Sequence, residues 1–139
     1  ISLVHRKGYF RQKLDAEGMQ SEEASPWSPD SRLESVGERV QVQIEGRLVH
    51  VAAWCWWVEG VGTGQVPVLL LDTDLPENSA WDRTLTDHLY GGDSYYRFCQ
   101  EVILGMGGVE MLRALGLDGI QTFHMNEGHS ALLSIALME

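Results

Sequence analysis

Val40-Gln41-Val42-Gln43-Ile44-Glu45-Gly46-Arg47-Leu48-Val49-His50-Val51 is the stretch that decides the fold. Apolar residues at 40, 42 and 44 alternate with polar ones at 41, 43 and 45, the period of a strand with one buried face. Glu45-Gly46 supplies a tight turn, and Leu48 to Val58 continues in β-branched and aromatic residues. Along that second strand Trp54 and Trp56 share one face and Trp57 takes the other. Gly60-Val61-Gly62-Thr63-Gly64 comes next. A phosphate cradle would need a strand before it, a helix after it and usually a Lys. A strand comes after it instead, so the glycines are expected to form a hairpin turn. Val66 to Leu71 is a continuous apolar run, suited to a strand buried on both faces. Asp72-Thr73-Asp74 at its end fits either a ligand-facing sheet edge or simple turn and cap chemistry. Residues 39–74 are therefore β-rich, a hairpin or meander.

Upstream, residues 1–38 form an extended or looped entry. Leu3, Val4, Tyr9, Phe10 and Leu14 stand among mixed charges without clear periodicity, which predicts a short strand or extended piece and then a turn or short helix. Pro26, Ser28, Pro29, Ser31 and Gly37 make 25–37 a loop in which Trp27 packs down as an anchor. Downstream, 75–92 is a loop with a short helix around Trp81 to Leu89. Residues 93–139 read as α/β. Asp93 or Ser94 caps a helix whose Tyr96, Cys99, Ile103, Met106, Val109 and Leu112 share one face. Arg97 and Glu101 form an i,i+4 pair on it. Gly105, Gly107 and Gly108 each cost up to about 1 kcal/mol against Ala inside a helix, and close approach of another backbone is the reason expected. Gly116 ends the helix. Gly119 to Met125 is predicted as a strand, Asn126-Glu127-Gly128 as a loop, and His129 or Ser130 as the start of a last helix carrying Leu132, Leu133, Ile135, Ala136 and Leu137. The fold class is α/β.

The bulk properties narrow the partners. A chain of 139 residues can bury one core. Its net charge of -10 lacks the basic stripe that nucleic acid or an anionic membrane surface requires. A neutral ligand such as a sugar is compatible with that acidity. Cys55 and Cys99 stand outside any CxxC pair and are expected to be free thiols of a cytosolic protein. No run of about 18 apolar residues offers a membrane span, and Ile1 to Arg6 do not begin a signal peptide. A start without Met and an end inside an amphipathic helix predict a segment of a longer protein.

One segment gathers chemistry: His124-Met125-Asn126-Glu127-Gly128-His129. A zinc protease places two His one helical turn apart beside a Glu; here the spacing is five and Gly128 interrupts, so no metal site is expected. At the carboxyl end of a parallel strand, Asn126, Glu127 and His129 would instead offer hydrogen-bonding groups to a sugar. Equally, they could cap the final helix. Spacing alone leaves both open.

Taken together, several stretches resemble the bacterial short type of α-glucan phosphorylase: Gly8-Tyr9-Phe10-Arg11-Gln12, Leu71-Asp72-Thr73-Asp74 with Pro76-Glu77-Asn78, Leu89-Tyr90-Gly91-Gly92-Asp93, Gln100-Glu101, Gly107-Gly108 and His124 to Leu132. The resemblance implies a piece of the N-terminal Rossmann-like half of a cytoplasmic, retaining glycosyltransferase. That enzyme cuts α-1,4-glucan (maltodextrin or glycogen) with inorganic phosphate to release glucose 1-phosphate. It implies pyridoxal 5′-phosphate in the parent enzyme, bound by a C-terminal half that this chain lacks, so that no catalytic, cofactor-binding or metal residue lies here and the chain alone is inactive. Tyr90, Gly91, Gly92, Asp93 and Ser94 resemble the gate loop, and Asn126, Glu127, His129 and Asp93 the substrate-binding positions. The glycogen enzymes carry Pro, Asn and Asn at positions 91, 92 and 94, and Asp and Thr at 127 and 128. Only Lys7 and Lys13 are present, both in a polar stretch unsuited to a Schiff base. Exposed apolar faces leave oligomerisation open. Two other readings stand beside this one. One is a stand-alone carbohydrate-binding module using Trp54, Trp56 and Trp57, though core packing is the plainer role for these. The other is part of a sugar-nucleotide-dependent glycosyltransferase.

Overall fold

The structure, a computed structural model, describes residues 1–89 and 91–138. Its centre is a four-stranded mixed sheet in the order β1-β6-β5-β4. Strands β4 (Glu34–Ile44), β5 (Arg47–Glu59) and β6 (Gln65–Asp72) form the antiparallel meander expected from the alternation. Ile44 pairs with Arg47 across a two-residue turn in which both Glu45 (φ 47°) and Gly46 (φ 83°) take positive φ, the twist that matches a hairpin. The glycine-spaced stretch closes the next hairpin, with Gly60 N donating to Gly64 O. Short β1 (Ser2–Leu3) lies parallel to the end of β6, pairing Ser2 with Leu70 and Leu3 with Leu71.

The buried face of the sheet, Val42, Ile44, Val49, Val51, Ala53 and Leu71, packs against a long helical element. That element runs as α1 (Ser94–Val102), a π-helical segment (Ile103–Gly107) and α2 (Gly108–Ala114). The expected apolar face holds at Cys99, Ile103 and Val109, while the π segment inserts an extra residue and shifts the turns after it. Met111, not Leu112, is consequently the fully buried residue of the last turns. The glycines in this element do allow close approach. A Cβ at Gly105 would lie 2.7 Å from Leu133 N and 2.9 Å from Leu132 C, and one at Gly107 3.3 Å from Val42 Cγ1. Gly116 (φ 70°) ends the helix, its N–H reaching Arg113 O while Leu117 N reaches Leu112 O.

Several expectations are corrected. In residues 10–24 the expected strand and turn form but the alternative short helix does not, and β2 (Phe10–Leu14) pairs with an unexpected β3 (Gln20–Ala24) as a separate antiparallel ribbon. All ten strand residues of that ribbon are exposed, so no alternation of apolar and polar residues marks it in the sequence. The run Val66 to Leu71 is not buried on both faces. Only its C-terminal half is covered, because β1 reaches no further than Leu70 and Leu71. Around Trp81 to Leu89 only a 3-10 turn, Asp82–Thr84, forms. No strand forms at 120–126, which run irregularly past the β1 edge, and the final helix is reduced to a 3-10 turn (Gly128–Ser130) and α3 (Leu133–Ala136).

The tryptophans divide. Trp54 turns its indole to the buried Asp72, with Nε1 donating to Oδ2 at 2.7 Å. Trp56 and Trp57, expected in the core, are 57% and 44% exposed. As neighbours on one strand they face opposite ways and make no common platform. Trp27 is half-buried with its ring edge-on to Tyr9 at 5.3 Å, the anchor expected. Cys55 and Cys99 are both free and buried.

Candidate functional site

The C-terminal end of β6 is built around one buried carboxylate. Asp72 accepts from Arg6 Nε (3.1 Å), a second Arg6 nitrogen, Trp54 Nε1, the Asp74 backbone N–H (3.0 Å) and Thr86 Oγ1 (3.2 Å). Burial alone would raise its pKa, but Arg6, Trp54 and the Asp74 N–H together bring it below the usual Asp value. Of the two readings of Asp72-Thr73-Asp74, the side chains favour the structural one. Asp72 is saturated by protein donors, Thr73 Oγ1 donates to Asp82 O at 2.8 Å, and Asp74 holds Arg83. This knot fixes the chain just after β1, where Arg6 and Lys7 bind it through Asp72 and Asp87.

Beside the knot, where β1 ends, a cleft of about 240 Å³ opens between the β1 edge, α1 and the 124–133 segment, its walls partly apolar through Ile1, Leu3, Leu89, Leu104 and Leu133. It is lined by His5 from the β1 end, Arg97, Gln100 and Glu101 from α1, and His124, Asn126, His129 and Ser130 from the irregular segment. The position is the carboxyl end of a parallel strand pair, the place where α/β sheets bind ligands. Glu101 is held by His129, with Oε1 3.3 Å from Nδ1. Gln100 is buried and donates to Leu85 O and His88 O, both at 2.8 Å, tying the helix to the loop before Leu89. Burial pushes the His5 pKa down, only partly offset by its bond to the His88 backbone, so the ring is neutral at pH 7.

The structure brings some of the expected residues together and leaves others apart. Asn126 and His129 line the cleft. Glu127 is exposed, outside the cleft lining, and takes φ 55° and ψ -157°, a conformation seldom adopted by a residue with a side chain. Asp93 caps α1, its Oδ1 accepting from Tyr96 N at 2.9 Å. It lines a separate depression with Trp81, Gly92, Tyr95 and Tyr96. Ser94 is the exposed first residue of α1. Gly92 takes φ 69°, and a Cβ there would meet Tyr96 Cβ at 2.7 Å; one at Gly91 would meet His88 Cβ at 3.1 Å. Tyr90, expected in the gate loop, lies outside the described residues. Sequence reasoning missed His5 as a site residue. The signal was available, a His two positions past a strand, but β1 is too short to announce itself. Among the described residues no group of three His, Cys, Asp or Glu side chains could hold a metal ion, and no helix is long and apolar enough to cross a membrane.

The chain is similar to phosphorylases over nearly its whole length. It is 39% identical over 138 residues to the maltodextrin phosphorylase of Thermococcus litoralis, covering 94% of this chain and 16% of that protein. It is 41% identical over 145 residues to the glycogen phosphorylase of Mycobacterium tuberculosis, covering 97% of this chain and 16% of that protein. The glycogen phosphorylase of Aquifex aeolicus is 27% identical over 98% of this chain. No family model matches. No solved structure matches. The chain thus spans about one sixth of the length of the first two relatives.

Proposed function

We propose, from the premise that this chain belongs to the α-glucan phosphorylase family, that it is part of the N-terminal, Rossmann-like half of such an enzyme and forms the sugar side of its cleft. In this reading the whole protein takes α-1,4-glucan and inorganic phosphate and releases glucose 1-phosphate with retention of configuration. The observation that carries the reading is the convergence of Asn126 and His129 with His5, Gln100 and Glu101 on one cleft at the end of β1. Neutral amides, imidazoles and a carboxylate are the donors and acceptors a polyhydroxylated, uncharged ligand needs. The chain supplies orientation and hydrogen bonding there.

The 90–94 segment is proposed as the gate. It comes after Leu89, which lines the cleft, and leads into the capped start of α1. Gly92 gives it a backbone conformation that other residues adopt only with strain. Glu127 and Asp93 are proposed as further sugar-facing residues in the assembled enzyme, although neither lines the cleft of this chain.

The residues present do not fit pyridoxal phosphate. A Schiff-base lysine requires a site that favours its neutral amine. Lys7 is 64% exposed and paired with Asp87; Lys13 is 57% exposed and paired with Glu23. In the proposed enzyme the cofactor is therefore carried by residues outside this chain, and no step is assigned to it here.

Phosphorolysis by the full-length protein, supplied with pyridoxal phosphate, maltodextrin and phosphate, tests the reading. Glucose 1-phosphate release that depends on added pyridoxal phosphate is the expected result. No release from any linear or branched glucan overturns it and brings the sugar-nucleotide transferase forward.

A further inference from the structure

The chain carries 10 Lys and Arg against 20 Asp and Glu, so its cations have carboxylates in excess. Among the described residues most of them are paired with one, and Arg97 is also engaged. The guanidinium groups of Arg11 and Arg32 make neither a hydrogen bond nor an ion pair there. The carboxylates near them are taken. Glu23, opposite Arg11 across the ribbon, holds Lys13; Asp30 accepts from Ser28 Oγ, and Glu34 from Trp57 Nε1 at 3.3 Å.

Both of these arginines line the same pocket. It encloses about 530 Å³ between the start of β2, the 25–33 loop and the sheet face that carries Trp56, opposite the buried face of Ala53. No Asp or Glu lines it, whereas the rings of Tyr9, Phe10, Trp27 and Trp56 do. Phe10 and Trp56 are 56% and 57% exposed, so their surfaces are open to a guest. The walls are held in place. Phe10 pairs with Ala24, Tyr9 O accepts from Ser25 N at 3.0 Å, and the Tyr9 ring meets Trp27 edge-on. The pocket shares no lining residue with the cleft of Asn126 and His129.

The lining selects the guest. A guanidinium fork grips a phosphate through parallel N–H···O bonds, and two forks with no carboxylate between them suit that charge. Aromatic faces suit a ring carried beside it. The volume is that of a small-molecule site. A cationic guest is repelled by the arginines, and a neutral sugar leaves their charge unused. The net charge of -10 does not forbid an anion, because exposed charges beyond about 8 Å are largely screened at physiological salt.

We infer that this pocket binds an organic phosphomonoester, with its phosphate on Arg11 and Arg32 and its ring against Phe10 and Trp56. The common chemistry is a phosphate joined to a ring, and a sugar phosphate or an aromatic phosphate can supply it. The inference stands apart from the sugar-cleft reading above.

The test is calorimetric titration of glucose 6-phosphate and of phenyl phosphate into the full-length protein, with glucose and inorganic phosphate as controls. One or both esters are expected to bind, and the tighter one identifies the ring. Arg11→Met and Arg32→Met are each expected to weaken that binding about tenfold or more, the span of a hydrogen bond to a charged group. Trp56→Ala is expected to weaken it as well. Since both arginines are exposed and bind nothing else, their substitution should leave Tm unchanged. Glucose or inorganic phosphate binding as tightly as the better ester overturns the inference, because the pocket then does not read ring and phosphate together. Failure of both esters to bind, or binding indifferent to both arginine substitutions, overturns it too and leaves the pocket to be covered by the rest of the longer protein. Should the arginine variants fail to fold, Trp56→Ala decides, and an unchanged ester affinity overturns the inference.

Discussion

Glu101 Oε1 lies 3.3 Å from His129 Nδ1, so a helix residue holds the imidazole of a loop residue across one wall of the cleft. An ionised carboxylate only accepts, so the shared hydrogen sits on Nδ1. Both side chains are partly shielded, 24% and 30% exposed, which makes the contact stronger than a surface pair. Glu101→Met removes the acceptor at similar length, whereas Glu101→Gln retains one. The expected outcome is a maltodextrin affinity reduced about three- to tenfold by Glu101→Met and less by Glu101→Gln. In a His129→Asn background the Met substitution should add nothing, and a double-mutant cycle measures that coupling. Equal losses with and without His129 would assign Glu101 to general packing.

Gly105 is where the helix carries the site segment. In an exposed helix, Gly→Ala typically gains up to about 1 kcal/mol. Here the added carbon would lie 2.7 Å from Leu133 N and 2.9 Å from Leu132 C, both backbone atoms that cannot rotate away. Gly105→Ala is therefore expected to destabilise by about 1–3 kcal/mol, the cost of overpacking. Gly107→Ala, facing only the Val42 side chain at 3.3 Å, should cost less. Urea unfolding of the two variants checks the order.

The glycine contact was legible in the sequence because glycine in a helix is costly and needs a reason. The meander was legible for the same kind of cause: Val42 and Ile44 are buried while Gln41 and Gln43 are not, so burial and the period of two coincide. The ribbon of Phe10 to Ala24 was not, because it buries neither face and pattern reports burial rather than pairing. At Ile120 to Phe123 the error ran the other way. Apolar residues next to a sheet edge suggested a strand, yet this segment forms no ladder with β1. Leu112 was expected on the buried face where Met111 lies, because a 3.6-residue period cannot anticipate a π segment. For the cleft, Asn126 and His129 were visible as a local cluster, whereas His5 and Glu101 join them only through tertiary contact.

Asp72 sets a pH dependence. Its folded pKa lies below the ordinary value, because the donors from Arg6, Trp54 and the Asp74 N–H outweigh the opposing effect of burial. A depressed carboxyl pKa contributes stability that is complete above the unfolded value of about 3.9 and is lost as pH falls through the folded value. Trp54→Phe removes the 2.7 Å indole donor and so weakens the depression. Its acid unfolding is expected to begin at higher pH than that of the wild type, with about 1–3 kcal/mol lost at neutral pH. Arg6→Met should cost about 3 kcal/mol or more, since it leaves a buried charge short of its main partner. Circular dichroism between pH 7 and 2 measures both. An acid transition unmoved by Trp54→Phe would show that Asp72 does not govern it.

Glu127 tests whether strain is stored beside the cleft. Its φ of 55° with ψ of -157° lies in a region that glycine enters freely and other residues enter at about 1–3 kcal/mol. The side chain is exposed and contributes no hydrogen bond that caps the Gly128–Ser130 turn. Nothing local therefore offsets the strain within this chain. Glu127→Gly is expected to raise stability by about 1 kcal/mol despite the greater freedom glycine gives the unfolded chain. If Glu127 faces sugar in the assembled enzyme, as proposed, the same substitution lowers maltodextrin affinity while raising Tm. Stability and affinity that rise together would mean that the strained backbone, and not the carboxylate, is what position 127 contributes.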